Sequence, residues 1–354
     1  MYKRQDDGFY GAGVAANLLN LLPYDQIVYQ SGYKTPDWMK NAVIYQIFPD
    51  RFYNGDVTND TITSDARGTV QYEYMNDWYI LPENPEQITL HPDTYPTYAY
   101  KGDGNWSNEI YGGDLKGITK RIDYLKALGV TVIYLNPVFE SISSHRYDTS
   151  DYKNIDPILG TLGDFEELVS VAEANNMHVV LDGVFNHCGS FNKWMDRERI
   201  YEPQPDYPKG AYVSKESPYN SFFLFHDARK ELWPYNGTYD GWWGHDTLPK
   251  LNYEGSEKLY DDIMRVAAKW VSPPYNADGW RLDVAADLGH SPEMNHKFWR
   301  DFRKSVKMAN PDAIILAEHY GDPKEWLQKG DQWDTVMNYD AFMEPLTWFL
   351  TGME

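Results

Sequence analysis

The 354-residue chain carries 32 Lys plus Arg against 53 Asp plus Glu, a formal net charge of −21; this repels nucleic acid and anionic membrane surfaces and favours a neutral ligand. Its length suits one large α/β barrel or two average domains with a sizeable core, and its 29 Tyr and 13 Trp offer more flat faces for sugar rings than packing demands. The single cysteine, Cys188, excludes an internal disulfide and reads as a packed thiol.

No run of residues is long and apolar enough to span a bilayer, and the start, Met1 to Asp7, lacks the apolar run and cleavage site of a signal peptide. A cytoplasmic chain fits this, and so does an extracellular or cell-surface bacterial protein whose export signal lies outside these residues. Residues 1–38 read as the tail of a preceding β domain and its linker, with a strand-like run from Leu21 to Tyr29 and a Pro-containing linker up to Trp38. Ala42 to Phe48 is a β-branched and aromatic run closed by Pro49, the pattern of a buried parallel strand. The Tyr-rich stretch that follows, to about Tyr111, is too long for an ordinary connection and is expected to be functional.

Leu115 to Leu128 places Ile118, Ile122, Leu125 and Leu128 on one helical face and closes at Gly129, and Val130 to Val138 is the next strand. A helix over Phe165 to Asn175 leads into the strand Val179 to His187. Residues 188–252, rich in Pro, Gly, Tyr and Trp, then break the alternation and read as a small excursion domain on a strand-to-helix loop. Helices over Glu257 to Val271 and Met294 to Val306 flank the strand Ala277 to Ala285; strands Ala313 to Tyr320 and Thr335 to Tyr339 and a helix over Phe342 to Leu350 follow. Such alternation requires a parallel α/β architecture, with 39–187 and 253–354 as two parts of one barrel around the excursion. Six strand-helix units are countable where a closed barrel of this kind needs eight, so a domain cut before strands seven and eight is expected.

Three of these strands deliver polar side chains at their C-terminal ends. Arg281 and Asp283 leave the same strand face two residues apart, so a guanidinium beside the carboxyl is expected to hold Asp283 ionised. A structural ion pair would look the same, but Asp182 and Glu318 end neighbouring strands and aim at the same place. Retaining cleavage of a glycosidic bond needs two carboxyls about 5–5.5 Å apart, one ionised to attack and one protonated to release the leaving oxygen. Asp283 suits the first role; Glu318, which follows the apolar Ile314 to Ala317 and is expected to be protonated more easily there, suits the second.

Asp182 to His187 (DGVFNH), Gly279 to Ala285 (GWRLDVA) and the Glu318 strand end resemble, in order and spacing, three signature regions of the α-amylase family of glycoside hydrolases. Leu248 to Asn252 (LPKLN) resembles a further signature of its neopullulanase and cyclomaltodextrinase branch, while the insertion Asp77 to Gly113 and the run Gly237 to Trp243 are most similar to amylopullulanases. The resemblance implies a (β/α)8 TIM barrel whose excursion after strand three is domain B. It implies Asp283 as nucleophile, Glu318 as general acid/base, Arg281 orienting the nucleophile, Asp182 shaping the site, His187 and His145 contacting sugar hydroxyls, and Tyr147 stacking on the scissile sugar. A further signature, an Asn-His-Asp carrying a third catalytic carboxylate, is absent from these residues.

Asn54, Asp56, Asn59 and Asp60 place four side-chain oxygens in one loop, and Gly112 with Asp114 opens the helix after the insertion. An Asx-rich turn and a hard-cation site both fit; the resemblance implies Ca2+ there. The other amylase calcium site has Lys250 where its aspartate would stand, which leaves Asn186 structural. His226, His245, His290 and His296 show no metal spacing. The implied activity is hydrolysis of α-1,4 and, as an open alternative, α-1,6 bonds in starch, pullulan or maltooligosaccharides. A glucanotransferase using the same carboxylates and a non-catalytic carbohydrate-binding barrel stand as alternatives.

Overall fold

The computed structural model describes residues 2–5, 14–17, 32–64, 68, 70–90, 93, 94, 96, 99–201, 207–226, 231, 232, 235, 236 and 238–352. Its centre is one six-stranded parallel sheet with the strands in sequence order: β1 (Ile44–Ile47), β2 (Val132–Leu135), β3 (His178–Gly183), β4 (Gly279–Leu282), β5 (Ile314–Ala317) and β6 (Thr335–Val336). Between them run α1 (Leu115–Lys120), α2 (Ile122–Ala127), α3 (Leu162–Ala174), α4 (Glu257–Trp270) and α5 (Pro292–Ala309), with α6 (Glu344–Thr351) after β6. These are six of the eight strands of a (β/α)8 barrel, each set beside its predecessor as that fold requires.

β2, β4 and β5 are buried along their whole length, which is why they read as continuous apolar runs rather than alternating ones. The helices begin where the sequence supplies caps. Thr161 and Asp164 form a reciprocal capping box on α3, Ser256 accepts from Leu259 N on α4, and Ser291, followed by Pro292, accepts from Met294 N on α5.

The single helix expected over Leu115 to Leu128 is instead two, divided at Arg121. Its first turn is anchored to the loop at 53–56: Asp114 caps it and also accepts from Asp56 N at 2.8 Å, and a Cβ on Gly117 would lie 1.7 Å from the Tyr53 carbonyl oxygen. The first turn is held by that anchoring, while the second buries Ile122 and Leu125.

The N-terminal residues contribute an antiparallel pair, Tyr2–Gln5 with Val14–Asn17; the run Leu21 to Tyr29 lies outside the described residues. In the long insertion, Glu73–Tyr74 pairs in parallel with Glu109–Ile110. The excursion after β3 packs Trp194, Met195, Phe222, Phe223 and Tyr239 into the same buried cluster as the barrel helices, so it is built onto the barrel core rather than around a separate one.

Gly279 shows how tightly β4 and β5 approach. Its φ is +148°, and a Cβ there would lie 2.2 Å from the Ile314 carbonyl oxygen. Overpacking against backbone together with an unfavourable φ makes Gly279→Ala destabilising by about 2–4 kcal/mol; a chemical denaturation midpoint within error of the unsubstituted chain would contradict this.

Candidate active site

Strand register builds the site. β4 pairs with β3 so that Arg281 stands opposite Asp182, and with β5 so that Leu282 stands opposite Ala317. The next residues, Asp283 and Glu318, therefore emerge together at the C-terminal edge of the sheet, tied by Asp283 N to Gly183 O at 3.1 Å and Glu318 N to Leu282 O at 2.8 Å. Arg281 then meets all three carboxylates at once. Its Nη1 donates to Asp182 Oδ1 at 3.0 Å and to Asp283 Oδ1 at 2.8 Å, and its Nη2 lies 2.9 Å from Glu318 Oε1.

A second layer fixes these groups. Asp182 Oδ2 accepts from Tyr134 Oη at 2.5 Å and Tyr147 Oη at 3.0 Å. Tyr147 Oη in turn takes an N–H from Asn136, which is itself held by Gln46 of β1. Glu318 Oε2 accepts the backbone N–H of Val284 at 2.9 Å. Val284 has φ +38° and ψ 47°, a left-handed conformation costly for a β-branched residue, and that turn is what aims its N–H at the carboxylate.

The electrostatics correct the sequence reading of Asp283. Arg281 does pull its pKa down, but burial, then the neighbouring charges of Asp182 and Glu318, push the other way and prevail, leaving it well above the usual carboxylate range. Burial likewise raises Asp182 against the pull of Arg281. Three carboxyls around one guanidinium crowd negative charge in a dehydrated place, which is why the shifts run upward. Glu318 does not sit in an apolar setting either. The apolar Ile314 to Ala317 is buried in the sheet, while the Glu318 side chain leaves it for Arg281 and Val284 N.

A cleft of about 830 Å³ opens over this cluster, lined among others by His145, Tyr147, His187, Trp242, Trp243 and Tyr320. His187 is buried and its pKa is brought down to about 3 by that burial, so its ring is neutral. Its Nε2, 3.1 Å from the Tyr147 carbonyl oxygen, must carry the proton, which leaves Nδ1 to accept from Asn186. Burial lowers His145 as well, and Tyr147 N donates to its Nδ1 at 3.0 Å, so its other nitrogen is the donor facing the cleft. Trp242 stacks on His187 with centroids 5.5 Å apart and donates from Nε1 to Asp287, bracing the excursion against the loop after β4. Tyr320 stacks on Tyr339 at 4.3 Å.

Sequence reasoning named Asp283, Glu318, Arg281, Asp182, His187, His145 and Tyr147; the structure puts six of them in the lining of this cleft and Asp182 buried beneath it against Arg281. It missed Tyr134, Asn136, Val284, Trp242 and Asp287. Tyr134 carried a usable signal, since a phenol inside an otherwise aliphatic strand needs a buried partner; the others depend on loop conformation.

The loop at 54–60 holds a mixed oxygen set. Asn54, Asn59 and Asp60 each have one buried Oδ1 without a hydrogen-bond partner. Gly112 closes over them: a Cβ there would lie 2.8 Å from Asp60 Oδ1 and 2.9 Å from Asn54 Nδ2. The carboxylate of Asp56 is engaged by Lys116 at 2.5 Å and that of Asp114 by backbone N–H groups and the α1 cap. Orphaned buried oxygens on Asn54, Asn59 and Asp60 fit a hard cation. Among the described residues no three His, Cys, Asp or Glu side chains form a metal-binding group; the two asparagine amides are what this set adds. Of the remaining histidines, His290 lies near Asp240 and Glu254, and His226 pairs with Asp240. Cys188 is free and buried.

Residues 46–349 match the family described as alpha amylase, catalytic domain. The chain is 41% identical to the amylopullulanase of Thermoanaerobacterium saccharolyticum over 99% of its own length and 27% of that protein, and 36% identical to neopullulanase 2 of Thermoactinomyces vulgaris over 90% of its length and 46% of that protein. Among solved structures it is similar to the type III pullulan hydrolase from Thermococcus kodakarensis, with a TM-score of 0.68, 33% identity and coverage of 87% of this chain and 48% of that one. It also resembles the ligand-free cyclic alpha-maltosyl-(1→6)-maltose hydrolase from Arthrobacter globiformis, with a TM-score of 0.67, 32% identity and coverage of 90% and 60%. The chain thus spans less than half the length of these curated relatives. With the family match covering most of its residues and the sheet in barrel order, the chain belongs to the α-amylase family of glycoside hydrolases.

Proposed function

We propose that this catalytic region hydrolyses α-1,4 and secondarily α-1,6 glucosidic bonds of neutral α-glucans, with retention of configuration. The observation that carries the reading is the sharing of one buried guanidinium by Asp283 and Glu318 at adjacent strand ends, beneath an aromatic-rimmed cleft. Asp283 attacks the anomeric carbon as Glu318 gives its proton to the departing glycosidic oxygen. The C–O bond breaks and a glycosyl ester forms on Asp283. Water then attacks the same carbon, Glu318 takes the water's proton, and Asp283 leaves as carboxylate. The ring of Tyr147 meets the scissile sugar and His145 contacts its hydroxyls, while His187, both of whose nitrogens are engaged within the protein, braces the wall they stand on. Names of relatives that act on pullulan and cyclic maltosyl-maltose support the substrate class.

Glucanotransfer is the second reading. Trp243 is 80% exposed and Tyr320 61% exposed, and both line the cleft, where they offer apolar faces to an incoming sugar that would replace water.

For the loop at 54–60 the proposal is calcium, held by Asn54, Asn59 and Asp60 with Gly112 closing the cradle. It supplies a structural tie between this loop and the start of α1, and no catalytic step passes through it.

Three outcomes follow. Asp283→Asn lowers turnover of a chromogenic maltoside at least about a thousandfold, measured in this chain and in one extended through two more βα units; near-normal turnover of the extended form would refute the nucleophile. The same substitution stabilises the fold. The raised pKa means that the folded state binds a proton which the unfolded state releases, so stability falls as pH rises from the unfolded carboxyl value through the folded one. Above that window Asp283→Asn gains about 1–2 kcal/mol, and the gain shrinks as pH falls toward 4. Separately, chelation lowers the melting temperature of the chain, and Asp60→Ala removes the part of the calcium-dependent rise that belongs to this loop; an equal rise with and without Asp60→Ala would leave the loop an Asx turn.

A further inference from the structure

The bond from Trp242 Nε1 to Asp287 Oδ2, which braces the cleft wall, is bracketed by a second tie that no step of the reaction uses. Asp240 lies in the excursion, two residues before Trp242, and His290 lies three residues after Asp287. The His290 side chain is 19% exposed and both ring nitrogens face carboxylates: Nδ1 lies 3.3 Å from Glu254 Oε2 and Nε2 lies 3.2 Å from Asp240 Oδ2. Nε2 is buried and makes no hydrogen bond of good geometry, so the ion pair with Asp240 is its compensation. The ring is held in place from its backbone, since His290 N donates to Glu254 Oε1 at 2.7 Å and Ser291 Oγ to the same oxygen at 3.2 Å. Asp240 is fixed from its own side, by Asp240 N donating to Leu224 O at 3.0 Å and by His226 Nε2, 2.5 Å from its Oδ1.

Other charged groups complete the surroundings. Lys250, at the end of the excursion, is buried enough for its pKa to fall, against the pull of Asp287, Asp240 and Glu254. His296 and Glu325, 3.6 Å apart, line a pocket of about 350 Å³ together with His290. A neutral imidazole has one N–H and one lone pair, so with a carboxylate at each nitrogen one contact would set a lone pair against negative charge. The imidazolium donates to both. Without its charge the carboxylates of Asp240, Glu254 and Asp287 face at most two cations, Lys250 and His226; with it they face a third. Asp240 shows the effect from the other side, because hydrogen bonds from His290 and His226 hold its pKa below the usual range against its burial.

We propose that His290 is a proton-operated clasp: as imidazolium it joins Asp240 of the excursion to Glu254 ahead of α4, and loss of its proton releases the excursion and with it the Trp242 wall of the cleft. The sign follows from the charges. The clasp contributes while the ring is protonated and is lost as pH rises through the range where imidazoles titrate, with Asp240 ionised throughout. His226 does not share the role, because it meets Asp240 through Nε2 and a neutral ring with its proton on that nitrogen keeps the bond. The clasp concerns how the wall is held and is independent of which bond the site cleaves.

The test is hydrogen–deuterium exchange of the chain at about pH 6 and about pH 8, each rate divided by the intrinsic rate of the same peptide at that pH. Peptides spanning 238–250 and 285–291 are expected to lose about tenfold in protection between the two, while peptides from β2 and β3 keep theirs. His290→Gln, which retains a donor but cannot carry the charge, is expected to show the low protection at both pH values, and His226→Gln to keep the pH step. A step of equal size in His290→Gln overturns the proposal, as does equal protection at the two pH values in the unsubstituted chain. Should His290→Gln not fold, the ring-nitrogen NMR shifts of His290 in the unsubstituted chain decide: a ring in one protonation state at both pH values refutes the clasp, and one charged at the lower and neutral at the higher sustains it.

Discussion

One guanidinium organises the catalytic face. Arg281 is 4% exposed and its position is set by strand register, since the β3–β4 pairing puts Asp182 opposite it and the β4–β5 pairing brings Glu318 out one residue beyond its neighbour. A one-residue slip of either pairing would send the side chain to the other face of the sheet. Gly279, pressed against Ile314, and the ladder through Gly183 O and Leu282 O hold that register. The packing of three strands is therefore already the geometry of three carboxylates, and substitutions far from the cleft that loosen β4 disturb the chemistry.

The segments that interrupt the barrel serve that centre from two sides. The excursion after β3 brings Trp242 against His187 and ties its indole N–H to Asp287 beyond β4, so the cleft wall spans two connections. The insertion before α1 is anchored at Gly112 and Gly113: Gly112 N donates to Asp50 Oδ1, and Gly113 N to Asp50 O. Asp50 is fully buried and accepts from Tyr111 N as well, so the end of β1 and the end of the insertion share one carboxylate. Ser144 N donates to Ser107 O, which brings the insertion beside the loop carrying His145 and Tyr147. Loops that would be entropically costly to order are thus pinned through buried polar groups with definite partners.

The barrel strands were legible because buried parallel strands are written as unbroken apolar runs, and the candidate catalytic residues because each follows such a run immediately. Val179 to Leu181 before Asp182, and Ile314 to Ala317 before Glu318, needed no knowledge of the loops. What the sequence could not show was environment. Two residues of spacing place Arg281 beside Asp283, but nothing in GWRLDVA reveals that Asp283 is buried and that the same guanidinium is claimed by Asp182 and Glu318; burial first, and those charges after it, invert the expected shift at Asp283. The helix break at Arg121 was hidden for a related reason: its cause is a contact of Gly117 with Tyr53, more than sixty residues back. The left-handed turn at Val284 could not be read at all, because propensity argues against it.

The crowding of negative charge at the cluster would have a chemical use in the proposed reaction. In the resting site Asp182, Asp283 and Glu318 compete for one cation, and burial makes that competition severe. In the proposed reaction a glycosidic bond would break above them, positive charge would grow on the sugar ring, and a poorly compensated carboxylate would gain a second counter-charge within the same dehydrated pocket. Stabilisation of this kind exists only when the charge develops, so it lowers the barrier without tightening the ground state. The strain at Val284 belongs to the same arrangement: by holding an N–H on Glu318 Oε2, it keeps that carboxyl in place. A site fully neutralised by two arginines would be more stable and would offer no such response.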